Sequence, residues 1–193
     1  MQIKHPFKDK AHGDLKELFQ DVSKFDTFLR RVEAASKKNA TRYDSNKYKG
    51  DAFEMFVEMF LNAFKFDNRF GLTNYTPVLV EDNGVDGVGY NSQGQKSVVQ
   101  VKYRGDSNYI LEGNQDHLQH LMSDGMATHD VVLAKIDKDE QYKHYIFSTA
   151  KDLNYYTKES VFKNAVYHFG RKDFKYMLDN NKPFWDYCRE LVA

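Results

Sequence analysis

The sequence predicts an α/β domain in which a mixed central sheet carries helices on both faces. Three observations point to it. An amphipathic stretch of helical period, "KGDAFEMFVEMFLNAFKF" (49–66), gives way to short β-branched runs separated by turn residues (76–104). Helical and strand patterns then alternate towards the C-terminus, the signature of a layered α/β arrangement. At 193 residues the chain is one domain, or one domain with extensions, and is long enough to bury roughly two-thirds of its unfolded surface.

The elements follow in order. "HGDLKELFQDV" (12–22) and "SKFDTFLRRVEAASKKN" (23–39) have helical spacing, the second with Ser23 as N-cap and Phe25, Phe28, Leu29 and Val32 on one side. In 49–66, Phe53, Phe56, Val57, Phe60 and Phe64 follow the i, i+3, i+4, i+7 pattern of a helix packed on a core. "TPVLVE" (76–81), "DGVGYN" (86–91) and "KSVVQVKYR" (96–104), separated by "DNG" and "SQGQ", read as a three-stranded meander. "LEGNQDHLQHLMSDGM" (111–126) reads as a helix, "HDVVLAKI" (129–136) and "HYIFST" (144–149) as strands. "AVYHFG" (165–170) is a short strand and "NKPFWDYCRELV" (181–192) a helix.

Composition excludes several classes. With 41% hydrophobic residues, 15 Phe and 13 Tyr, the chain is neither disordered nor collagen-like. Cys188 stands alone, so an internal disulfide is impossible and a cysteine-based zinc site is disfavoured. "MQIKHPFKDK" lacks a signal peptide's apolar stretch, and no run approaches the ~18 apolar residues of a membrane span, so a cytoplasmic location is expected. The net charge of zero argues against a protein that coats nucleic acid, but the charge is unevenly spread. Residues 1–50 hold 12 Lys and Arg against 7 Asp and Glu; residues 51–110 hold 5 against 8. The basic arm is either a solvated face or a source of phosphate contacts. "GVDGVGYN" has neither the lysine of a P-loop nor the spacing of a dinucleotide fingerprint.

Strand alternation puts Gln100 and Lys102 on one face and Val99 and Val101 on the other. A three- or five-residue loop around Gly94, pairing Asn91 with Ser97, sets Asp86 opposite Lys102, whereas an even loop would turn Val101 to Asp86. The helix adds Glu54, which falls just past the apolar arc, while Glu58 lies further towards solvent. A plainer reading exists, since Asp51 followed three positions later by Glu54 also spells a capping box.

Glu54, Asp86, Gln100 and Lys102, carried by "YKGDAFEMFVEMFL", "GVDGVGY" and "VVQVKYR", resemble the PD-(D/E)xK nuclease superfamily, and within it the Mrr-like restriction endonuclease and Holliday-junction-resolvase branches. The resemblance covers roughly residues 47–135. It departs from the superfamily pattern at Val85, where a proline is usual, and at Gln100, where an acid is usual and glutamine is typical of the Mrr branch.

This resemblance implies a restriction-endonuclease-like α/β/α sandwich. Its nuclease core would span 47–150, with an N-terminal helical extension (1–46) and a C-terminal strand and helix extension (151–193) packed on it. It implies DNA as substrate and Mg2+ as cofactor, with Mn2+ as substitute. Asp86 would be the main metal ligand, Glu54 a second, and the backbone carbonyl of Val101 a third. Lys102 would orient the attacking water and offset phosphate charge, and Gln100 would contribute only a neutral amide oxygen. Arg104, Gln115, His117 and Gln119 are candidate phosphate contacts, and His117 with His120 is a weaker metal-ligand pair. Rival readings are a junction resolvase, which requires a two-fold homodimer, and a non-catalytic nucleic-acid-binding adaptor working beside a helicase. The C-terminal aromatics from Tyr155 to Trp185 are expected mainly to pack.

Overall fold

The computed structural model describes residues 2–10, 14–79, 84–125, 143–163 and 166–193, without the side chain of residue 162. Their helices are α1 (Phe7–Lys10), α2 (Leu15–Phe19), α3 (Phe25–Lys38), α4 (Ser45–Ala63), α5 (Leu118–His120), α6 (Tyr155–Lys163), α7 (Arg171–Leu178) and α8 (Lys182–Leu191). The strands are β1 (Thr73–Pro77), β2 (Gly87–Tyr90), β3 (Lys96–Lys102), β4 (Ile110–Leu111), β5 (His144–Ser148), β6 (Asp152–Leu153) and β7 (Val166–Phe169). Five of them form one mixed sheet in the order β1-β2-β3-β5-β7. β1, β2 and β3 run antiparallel; β3, β5 and β7 run parallel.

Helices cover both faces, as the residue patterns predict. One face sends Val99, Val101 and Phe147 into a phenylalanine-rich cluster with Phe53, Phe56 and Phe60 of α4, Phe28 of α3, Phe174 of α7 and Trp185 of α8. Phe56 stacks on Phe28 with ring centroids 4.4 Å apart and meets Trp185 at 6.1 Å. Burying each such ring contributes about 1.5–3 kcal/mol. The other face sends Val98 and Ile146 against Leu118, Leu121 and Val161. Among the described residues no helix is long and apolar enough to cross a membrane.

Several local expectations are corrected. α4 begins at Ser45, with Asp44 as its N-cap accepting from the Lys47 amide at 2.8 Å. Asp51 and Glu54 therefore sit inside the helix and form no capping box. Ser23 does not cap α3. Its first amide, that of Phe25, donates instead to the carboxylate of distant Asp179 at 2.9 Å, a tertiary cap that local sequence cannot reveal. β1 starts at Thr73, three residues before the expected strand. Helix 111–126 shrinks to α5 and a π-helical turn, Leu121–Gly125, because 112–117 is bent inward around buried Asp116 and His117 takes a left-handed φ of 54°. The expected strand 129–136 lies outside the described residues.

Two histidines, His144 fully buried and His168 half-buried, make the fold acid-sensitive. His144 Nδ1 accepts from the Val98 amide at 3.1 Å, and His168 Nε2 lies 2.6 Å from Ser148 Oγ. Burial lowers both from 6.5 to about 4. Between pH 6.5 and about 4 the unfolded chain binds protons that the folded chain refuses, so stability falls as pH falls through that window. Urea denaturation at pH 7.5, 6 and 5 is expected to show a falling midpoint, with a shallower decline in His168→Gln.

Candidate active site

The hairpin joining β2 to β3 sets the register on which the site depends. Tyr90 pairs with Lys96, Gly89 with Ser97 and Gly87 with Val99. Asn91 bonds Gln95, its amide donating to the Gln95 carbonyl at 3.0 Å, which leaves the three-residue loop 92–94 with Gly94 at φ 77°. That left-handed position suits glycine alone at no steric cost. The expected pairing of Asn91 with Ser97 is thus shifted by two residues. Continuing the observed register places Gln100, not Lys102, opposite Asp86. A shift of two preserves the faces, so Asp86, Gln100 and Lys102 still share one side.

The start of β2 is tied to the end of β3. The Asp86 amide donates to the Val99 carbonyl at 2.8 Å, and the Asp86 carboxylate accepts from the Val101 amide at 2.6 Å. In an extended strand the N–H and C=O of one residue leave by the same edge, so the Val101 carbonyl also points towards the Asp86 side. Gly87 is required by crowding. A Cβ there would lie 2.1 Å from Tyr75 Oη. The buried Tyr75 hydroxyl is held well above its usual pKa by burial and then by the Asp86, Glu54 and Glu58 carboxylates, which gather around this strand end.

Glu54, Asp86, Gln100 and Lys102 line one cavity of about 870 Å³. His5, Lys10, Lys47, Asp51, His117 and His120 complete its polar wall. Glu54 keeps 26% of its side chain exposed, and its Oε2 lies 3.1 Å from His5 Nε2. Glu58, expected towards solvent, is fully buried because its two carboxylate oxygens accept the amides of Lys4 and His5 at 2.8 and 2.9 Å. Gln100 is fully buried, and neither its Oε1 nor its Nε2 has a partner among the described residues. Lys47 pairs with Asp51 at 3.5 Å, so part of the basic arm faces the cavity.

Other candidates fall elsewhere. Arg104 is not part of the cavity lining: its Nε donates to Asp116 Oδ1 at 2.9 Å, its Nη2 makes a second bond to that oxygen, and its Nη1 donates to the Tyr103 carbonyl at 2.7 Å. Asp116 also accepts from the Glu112 amide and Tyr109 Oη. The guanidinium thus braces the 104–116 segment. Gln115 and Gln119 are exposed and do not line the cavity, whereas His117 and His120 do line it, with ring centroids 5.7 Å apart. Among the described residues no three His, Cys, Asp or Glu side chains form a metal-holding group. His5, Lys10 and Lys47 enter the site without a motif to announce them: Lys47 sits in the first turn of α4, and only the folded N-terminal segment brings His5 and Lys10 to that helix.

No protein-family model and no curated protein matches this chain. Among solved structures it is similar to one described as "Metal-depleted Ecl18kI in complex with uncleaved, modified DNA", at 13% identity and a TM-score of 0.41. The match covers 96% of this chain and 62% of that one, and is too distant to carry residues or activity across.

The Gln100 amide, fully buried with no partner among the described residues, is a stability cost of about 1–3 kcal/mol, the figure for a buried polar group left unpaired. Gln100→Met, of similar shape and without that cost, is expected to raise the unfolding free energy obtained from urea denaturation by an amount in that range. A destabilised variant would mean that the amide has a partner in solution.

Proposed function

We propose that this chain is a divalent-metal-dependent nuclease of PD-(D/E)xK type, an Mrr-like restriction endonuclease that hydrolyses DNA phosphodiester bonds in the cavity between α4 and the β2–β3 hairpin. The convergence of Glu54, Asp86, Gln100 and Lys102 on that cavity carries the reading. The donor set suits magnesium. It offers two carboxylates, the Val101 carbonyl edge and a buried amide oxygen with no partner among the described residues, all hard oxygen donors. Two carboxylates are enough for an ion that keeps several waters and shares the substrate's phosphate, so no closed cage of side chains is needed. Bound there, magnesium would supply Lewis-acid polarisation and a water of lowered pKa.

The chain's own groups do the rest. The Val101 amide fixes the orientation of the Asp86 carboxylate through its 2.6 Å bond. Lys102, on the same face as Gln100, orients the attacking water and offsets charge that grows on the phosphate. Lys10 and Lys47 on the cavity wall draw the anionic backbone in. Because Gln100 is neutral, the site carries one negative charge fewer than its acidic counterpart, which favours weaker metal binding or a single ion.

Plasmid and four-way branched DNA incubated with Mg2+ or Mn2+ test this. Wild type is expected to cut, and chelation to stop it. Asp86→Asn, which keeps an acceptor for Val101, and Lys102→Ala are each expected to lose at least ~100-fold in rate while melting normally. Equal cutting by all three proteins would refute the assignment; cutting confined to branched DNA would favour the resolvase, and binding without cutting the adaptor.

A further inference from the structure

The N-terminal segment reaches the site through one side chain. His5 is buried, its Nδ1 accepting from the Phe7 amide at 3.2 Å and its Nε2 lying 3.1 Å from Glu54 Oε2. An Nδ1 that accepts an amide carries no hydrogen, so the ring's hydrogen sits on Nε2 and is donated to Glu54. The segment cannot drift from this position. Both oxygens of buried Glu58 hold the amides of Lys4 and His5, and Lys4 Nζ bonds Thr76 Oγ1 at 2.9 Å and the Tyr75 carbonyl at 3.3 Å. Phe7, fully buried, packs edge-on against Tyr48 with ring centroids 4.9 Å apart.

We infer that His5 is a positioning residue for the metal site: by holding Glu54 Oε2 it fixes that carboxylate's rotamer and leaves Oε1 to face the ion or its water. Glu54 and Glu58, one helical turn apart, then divide two tasks between them. Glu58 latches the N-terminal segment to α4, and the segment in turn aims Glu54. Carboxylates that ligate metals are commonly held by such outer hydrogen bonds, and losing one costs ~10–100-fold in metal affinity. This inference rests on the metal-site reading above and adds a residue from outside the span that resembles the nuclease core.

The test is a calorimetric titration of the full-length, metal-free protein with Mn2+, without DNA, alongside melting curves for every variant. His5→Ala is expected to weaken Mn2+ binding by ~10-fold or more. His5→Gln, whose amide N–H can reach the same Glu54 oxygen, is expected to stay within about threefold of wild type. The contrast between the two variants separates aiming from mere packing, because both remove the ring. Wild-type affinity in His5→Ala alongside weakened binding in Glu54→Ala would overturn the inference, as would equal losses in His5→Ala and His5→Gln. Unchanged affinity in Glu54→Ala would instead overturn the metal-site reading itself.

Discussion

Val99 and Val101 are locked into the phenylalanine cluster against α4, and that burial fixes which way every other residue of β3 must point. Gln100 and Lys102 are thereby committed to the opposite face. Neither would choose such a place on its own, since a buried amide and a strand-end ammonium both lose water there. The apolar half of the strand stabilises the polar half's position. Asp86 joins them through the same logic, because the three-residue loop 92–94 preserves the parity between β2 and β3. A loop one residue longer or shorter would turn Asp86 away from both.

The strand parity was readable from residue types, because it rests on alternation, and the helix of Phe53, Phe56 and Phe60 was readable from its period. Register was not. Asn91 closes its turn on Gln95 through backbone and side-chain bonds, and nothing in "NSQGQKS" separates that closure from a wider one with the same parity. Helix ends were hidden for a related reason. Asp44, Asp51 and Ser23 are all competent caps locally; Asp51 is engaged instead by Tyr43 and by Lys47 one turn back in the same helix, and the start of α3 is held by distant Asp179.

The site's second half was less legible still. Glu54 is partly exposed, in keeping with its position just past the apolar arc, but Glu58 is buried against the wheel's indication because a wheel treats the chain outside the helix as solvent. Here that space is filled by Lys4 and His5, whose amides need acceptors once buried. Arg104 shows the same effect in reverse: a strand-end arginine suited to phosphate is drawn instead to Asp116, which would be costly to bury without a cation. In each case the deciding partner lies far away in sequence or in a segment with no regular period.

The division of the sheet into an antiparallel half and a parallel half has a kinetic corollary. β2 meets β3 across a loop of three residues, whereas β5 can join β3 only after residues 103–143 have been folded back. Short loops close in well under a microsecond, and hairpins form within microseconds, long before pairings that must first organise a long crossover. Asp86, Gln100 and Lys102 are therefore brought together by a far shorter chain closure than the one that joins Glu54 of α4 to them, so theirs is the juxtaposition with the smallest loop-entropy cost in the site.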